Sequence, residues 1–213
     1  MNINTDALTI LDISMPITRL MPVYKGKEHK RPKLSIDSDF SSSSAYETRL
    51  EMNLHTGTHL DTPLHMIPDG YTLEKLELSK VVTACRVIDL TFVRDKITDV
   101  DLQKFTFKEG DFILLKTRNS FEDILETDFV YLDKSGAKFL AEKRIKGVGI
   151  DALGIERDQP GHESHISLFE SDVVILEGLR LKDIEEGEYL LSAAPVLIPG
   201  AEAAPARAYL IKP

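Results

Sequence analysis

With 213 residues, 42% of them hydrophobic and 29% charged, the chain has the size and composition of an ordinary globular protein that buries a core without disulfides. Its formal net charge of −9 argues against a nucleic-acid partner, because phosphate binding needs a basic surface. The opening residues Met1 to Asp6 have neither a basic start nor a long apolar run, and no stretch is long enough to span a bilayer. No membrane partner is therefore expected, and the cytoplasm is favoured.

In chain order, Leu8 to Ser14 reads as a first strand that stops at Pro16. Tyr24 to Arg31 is polar and lysine-rich and reads as a loop, with His29 solvated. Ser41 to Ser44 reads as a turn. Thr48, Leu50, Met52 and Leu54 alternate with Glu47, Arg49, Glu51 and Asn53, which predicts a half-buried strand running into His55. Val81 to Leu90 is a further strand. It contains the single cysteine, Cys85, which has no disulfide partner and reads as a small buried side chain. Thr98 and Asp101 mark the start of a short helix, and Phe112 to Lys116 is an apolar strand. Asp133 to Ile145 is the clearest helix, with Asp133 as N-cap and Ala137, Leu140 and Ala141 on one side. Gly147 to Ile150 and Val173 to Leu176 are continuous apolar runs, as in strands covered on both faces. Glu188 to Leu191 and Ala206 to Ile211 complete the strands. With no repeat and no linker, these elements predict one β-rich α/β domain over residues 1–213.

The chemistry concentrates in His55-Thr-Gly-Thr-His59-Leu-Asp61-Thr-Pro-Leu-His65, which holds half of the six histidines. Imidazole nitrogen and carboxylate oxygen are the donors that hold borderline divalent ions. The spacing of His55 and His59 would suit one helix face, but Gly57, two β-branched threonines and Pro63 argue against a helix. A strand end leading into a glycine-hinged loop fits better, with Gly57 letting both imidazoles and Asp61 converge. A merely polar exposed loop is the bland alternative, and the density of ligand types argues against it. A structural metal site would favour cysteine and a closed donor set; a cysteine-free set with a carboxylate leans toward catalysis. His65, beyond Pro63, is either another ligand or a proton carrier.

A second group follows about a hundred residues later. His162-Glu163-Ser164-His165 precedes the apolar run that ends at Glu177. A glutamate at the end of a buried strand is costly unless a cation compensates it. His165 and Glu177 would complete the donor set for two ions. His162 is a loop residue or a helper. Weaker candidates are Asp151 after its strand, which equally suits turn formation before Gly154, and Asp12 with Ser14, which could support a site or simply end a strand.

The first motif resembles the signature of the cyclase-type metal hydrolases, a family that includes bacterial kynurenine formamidase and isatin hydrolase. Asp12-Ile-Ser-Met-Pro16 is similar to the family's opening strand, and Gly149-Ile150-Asp151 to the strand before its second ligand segment. His165 with Glu177-Gly178-Leu179 is similar to its second ligand pair. The resemblance implies a swivelling β/β/α arrangement and one or two divalent ions, zinc or manganese. It further implies His55, His59, Asp61, His165 and Glu177 as ligands, Asp61 bridging, and His65 as acid–base. The implied partners are a small-molecule amide substrate and further copies of the chain, as a homodimer or homotetramer. One departure concerns the pocket. The formamidases carry tryptophans near the N-terminus and a Pro-Gly-Asp stretch, whereas this chain has no tryptophan and reads Lys25-Gly-Lys-Glu28 after Met21-Pro-Val-Tyr24.

Overall fold

The computed structural model describes residues 8–121 and 127–212; the opening segment Met1 to Asp6 lies outside the described residues. In chain order the strands are β1 (Thr9–Asp12), β2 (Lys33–Ser38), β3 (Glu47–Glu51), β4 (His59–Asp61), β5 (Val82–Asp89), β6 (Lys96–Ile97) and β7 (Phe112–Lys116). They continue with β8 (Tyr131–Leu132), β9 (Gly147–Ile150), β10 (Val174–Glu177), β11 (Gly187–Ser192), β12 (Ala203–Pro205) and β13 (Tyr209–Lys212). The helices are α1 (Asp99–Leu102), α2 (Lys134–Glu142) and α3 (Glu163–Glu170). The protein is mixed α/β and rich in strand, as its sequence predicts.

Nine strands form one sheet in the order β1-β13-β11-β5-β7-β9-β10-β4-β12. The ladders β5–β7, β7–β9 and β9–β10 are parallel. Every residue of β7, β9 and β10 is buried, as expected for apolar runs covered on both faces. On one side, Leu140 of α2 and Leu168 and Phe169 of α3 pack with Ile113, Val148 and Ile175. On the other side, Leu60 of β4, Leu114 of β7, Leu191 of β11 and Leu210 of β13 share a second cluster. Residues from strands near opposite ends of the sheet meet there, so the sheet curls around its own core.

The helix starts follow local chemistry. The Asp133 carboxylate accepts hydrogen bonds from the amides of Ser135 at 2.7 Å and Gly136 at 3.3 Å, capping α2. Thr98 and Asp101 form a capping box at α1.

Several expectations need correction. The alternating segment is half-buried only over residues 52–54: all of β3 is exposed, because it pairs with β2 in a two-stranded ribbon that, among the described residues, no other layer covers. The Tyr24–Arg31 segment contains two single 3-10 turns rather than irregular loop alone. The final strand starts at Tyr209 rather than Ala206, and a separate short strand, β12, precedes it. The α2 helix stops at Glu142, short of Ile145, and Arg144 takes a left-handed φ of 53°. Helix α3 has no counterpart in the sequence reading. Among the described residues, no helix is long and apolar enough to cross a membrane.

Candidate metal centre

The eleven-residue motif folds as a turn, a strand and a turn, not as a strand running out into a loop. Residues 55–58 make the first turn, His59–Asp61 is the buried β4, and Pro63–His65 is a 3-10 turn. β4 lies between β10 and β12, antiparallel to both, with His59 directly opposite Glu177. Ladder registration thus brings together residues more than a hundred positions apart.

The first turn depends on two glycines. Gly57 has φ +74° and Gly178 has φ +70°. A Cβ on Gly178 would sit 2.2 Å from the Gly57 carbonyl oxygen, so backbone meets backbone where no other residue fits. The Thr58 hydroxyl donates to the Gly178 carbonyl at 2.6 Å and accepts from the Met15 amide at 2.7 Å. These bonds pin the turn to the end of β10.

Three imidazoles each point one nitrogen inward and the other at an outer acceptor. His59 Nδ1 donates to the Gly57 carbonyl at 2.8 Å, leaving Nε2 3.4 Å from Asp61 Oδ1 and 3.3 Å from Glu177 Oε2. His55 Nε2 donates to Glu202 Oε1 at 3.0 Å, and its Nδ1 lies 3.0 Å from Asp61 Oδ1. His165 Nδ1 lies 3.1 Å from Glu156 Oε1, with Nε2 3.4 Å from Glu177 Oε1 and 3.7 Å from Asp61 Oδ2. Outer carboxylates and carbonyls in this position fix the tautomer of metal-binding histidines.

The inner atoms are unsatisfied. Among the described residues, His59 Nε2, both oxygens of Asp61 and His165 Nε2 are buried without a hydrogen-bond partner. Lone pairs facing one another across such distances repel unless a proton or a cation lies between them. Separations of 3.0 to 3.7 Å between inward atoms match a tetrahedral shell, where ligands at about 2.0–2.2 Å from zinc stand roughly 3.4 Å apart. The residues present therefore fit a divalent ion. Two groupings of possible ligands share Asp61: His59 and Glu177 on one side, His55 and His65 on the other.

The electrostatics agree. Burial lowers the His59 pKa, but Asp61 and Glu177 outweigh it and hold the ring near about 9. Burial and the Asp61 charge push Glu177 upward, yet His165 and His59 bring it down to about 2. In the absence of an ion, protons on the imidazoles would serve as the missing positive charge. His65 behaves differently: burial, opposed by Asp61 and aided by His55 and His165, lowers it to about 4. Its ring lies 4.0 Å from that of His55 and 5.4 Å from that of His165. It is therefore neutral at pH 7 and faces the cavity.

That cavity measures about 180 Å³ and is lined by His55, His65, His165 and Glu177 together with Tyr24 and Lys30. Of the five residues expected as ligands, His55, His165 and Glu177 line the cavity, with Asp61 3.0 Å from His55 and His59 3.3 Å from Glu177, and His65 lines it beside them. His162 also lines the cavity, its Nδ1 2.6 Å from Glu156 Oε1. Asp151 does not reach the centre; its carboxylate is satisfied by Thr117 and Ser120. Asp12 ends β1, and its carboxylate accepts from the amide of Ser14 just beyond the strand at 3.0 Å. His29 is exposed and Cys85 is buried, as expected. Sequence reasoning missed Glu156 and Glu202. The one available signal was Glu202 standing alone within Ala201–Ala204.

The family described as "Putative cyclase" matches residues 11–157 of this chain. The chain belongs to this cyclase family. Its relatives include the kynurenine formamidase of Bacillus thuringiensis subsp. konkukian (strain 97-27), 31% identical over 209 residues that cover 95% of this chain and 97% of that protein. The kynurenine formamidase of Sphingopyxis alaskensis is 30% identical over 206 residues, covering 94% and 97%. Among solved structures, a cyclase-fold protein described as a potential metal-dependent hydrolase with cyclase activity superposes with a TM-score of 0.89. It is 47% identical, with 97% of this chain and 100% of that one covered. Isatin hydrolase A from Ralstonia solanacearum has a TM-score of 0.84 at 19% identity, covering 98% and 93%, a likeness of fold alone.

Proposed function

We propose that this cyclase-family protein is a metal-dependent hydrolase of small amides, with an arylformamide such as N-formylkynurenine as the leading substrate type. The observation that carries the reading is the set of bare, buried imidazole nitrogens and carboxylate oxygens beside a cavity. The formamidase relatives, alike over nearly the full chain, support the choice of amide. His55, His59, Asp61, His165 and Glu177 would hold one or two ions, zinc or manganese, with Asp61 shared between the two halves of the cage. When bound, a divalent ion supplies hydroxide at neutral pH by lowering the pKa of water from about 15.7 to roughly 7, and it polarises the carbonyl.

The chain's own residues do the rest. His65 is neutral because burial lowers its pKa, so it can accept the proton of the attacking water. It then returns that proton to the leaving nitrogen as the C–N bond breaks and the new C–O bond forms. Glu156 and Glu202 orient His165 and His55 from outside the cage. The cavity walls hold the amide against the cage and limit competing water.

The test is elemental analysis of the purified protein, followed by chelation and a screen of formamides, cyclic amides and lactones with each metal restored. Chelation should abolish turnover while the far-UV circular dichroism persists, since the two apolar clusters stand without the ion. A protein that hydrolyses formamides fully after complete metal removal would refute the reading. Turnover of cyclic amides in preference to formamides would redirect it to ring opening by the same centre.

A further inference from the structure

Part of the cavity wall comes from the lysine-rich segment at residues 24–31, whose charges the reaction above leaves unused. Its cations divide into two kinds. Lys25 is paired with Asp158, and Arg31 with Glu28 at 2.8 Å. Lys27 and Lys30 line the cavity, and among the described residues neither ammonium has a carboxylate at ion-pair distance. Just beyond them, Lys33 is again paired, with Glu51 at 2.8 Å. The two cations left without an acid are thus the two that face the cavity.

Lys30 is held in place. Its carbonyl accepts the Thr56 hydroxyl at 3.0 Å, which ties the segment to the turn that carries His55. Its ammonium rests 5.9 Å from the Tyr24 ring centre, and the residue is half-buried. Burial first, then the neighbouring Lys27 charge, keeps the Lys30 pKa below its usual range, while Glu177 and Asp61 oppose them. Those two carboxylates are already surrounded by His55, His59 and His165. Two like charges side by side, one half-desolvated, are unfavourable until an anion arrives.

We propose that Lys30 and Lys27 form an anion subsite, so that the substrate is a compact amide carrying a carboxylate close to the bond that is cleaved. The proposal rests on the amide-hydrolase reading and narrows its substrate class to formamides like N-formylanthranilate, whose carboxylate stands ortho to the amide, and away from N-formylkynurenine, whose carboxylate ends a longer side chain. The cavity volume of about 180 Å³ is below the roughly 300–1,000 Å³ of drug-sized sites, which favours a small molecule. Tyr24 lines the same cavity, with the Lys30 ammonium against its ring. A substrate of this class would set its amide carbonyl at the cage and its carboxylate at the lysines, which fixes its direction in the cavity.

The experiment compares a matched pair, N-formylanthranilate and formanilide, on the metal-loaded full chain and on Lys30→Met, Lys30→Arg and the double variant Lys27→Met/Lys30→Met. The wild type should prefer the anionic formamide. That preference, as a ratio of kcat/KM values, should fall roughly 10–100-fold in the double variant, the usual range for a charge-assisted contact. It should fall less in Lys30→Met and be largely retained in Lys30→Arg. A ratio unchanged by the double substitution overturns the proposal. If the wild type cleaves neither compound, the amide reading is at fault, and calorimetry with benzoate and benzamide decides the subsite separately. Benzoate binding should weaken at least about tenfold in the double variant while benzamide binding stays level; equal benzoate affinity in the two proteins overturns the subsite.

Discussion

Asp61 and Asp151 are both buried from solvent, yet their surroundings differ in kind. Asp151 accepts hydrogen bonds from the Thr117 amide at 2.9 Å, the Thr117 hydroxyl at 2.7 Å and the Ser120 hydroxyl at 2.6 Å. Asp61 accepts none, and its polar neighbours are imidazole nitrogens, the nearest being His55 Nδ1 at 3.0 Å. A carboxylate whose lone pairs are filled by amide and hydroxyl donors belongs to the scaffold. One left bare among nitrogen lone pairs suits a ligand that the polypeptide does not supply. Donor chemistry, not depth, separates the two.

Substitutions can break that contrast. The largest effect is expected at Asp61: Asp61→Asn should bind little metal and lose at least about 10³-fold in kcat, with its circular dichroism unchanged, because the ion's whole contribution is removed. Full metal content in this variant would place Asp61 with Asp151. His65→Ala should lose about 10²–10⁴-fold in kcat while keeping its metal, which elemental analysis and single-turnover kinetics would resolve. Asp151→Ala should act the other way. It strands the Thr117 and Ser120 donors, so urea unfolding should show a loss of about 2–4 kcal/mol, with kcat per folded, metal-loaded molecule preserved. Glu156→Gln is the mildest: weaker orientation of His165 should cost about 10–100-fold in metal affinity, read by competition with a chelator.

The difference between Asp61 and Asp151 was partly visible in the sequence. Asp61 stands two residues from one histidine and six from another, a density that single scaffold carboxylates do not show. Glu177 was legible because a charge ending an apolar strand demands compensation. Glu156 and Glu202 were not, because their partners are brought to them by packing: Glu156 by the return of α3 over the sheet, Glu202 by the pairing of β12 with β4. Helix α3 escaped notice because Pro160 and Gly161 lie before it and it is eight residues long, too short for a clear apolar period. The β3 ribbon shows the opposite failure. Its alternation reflects pairing with β2, and alternation alone does not say whether a second layer covers the apolar side.

β4 is three residues long. His59 and Asp61 stand on one face of it and Leu60 on the other, packed in the apolar cluster. A slip of one residue against β10 or β12 would turn Leu60 toward the cage and drive an imidazole or a carboxylate into hydrocarbon. The chemical groups therefore act as alignment marks for the chain itself, so that a molecule with this corner wrongly threaded is selected against by its own folding energy before any substrate tests it.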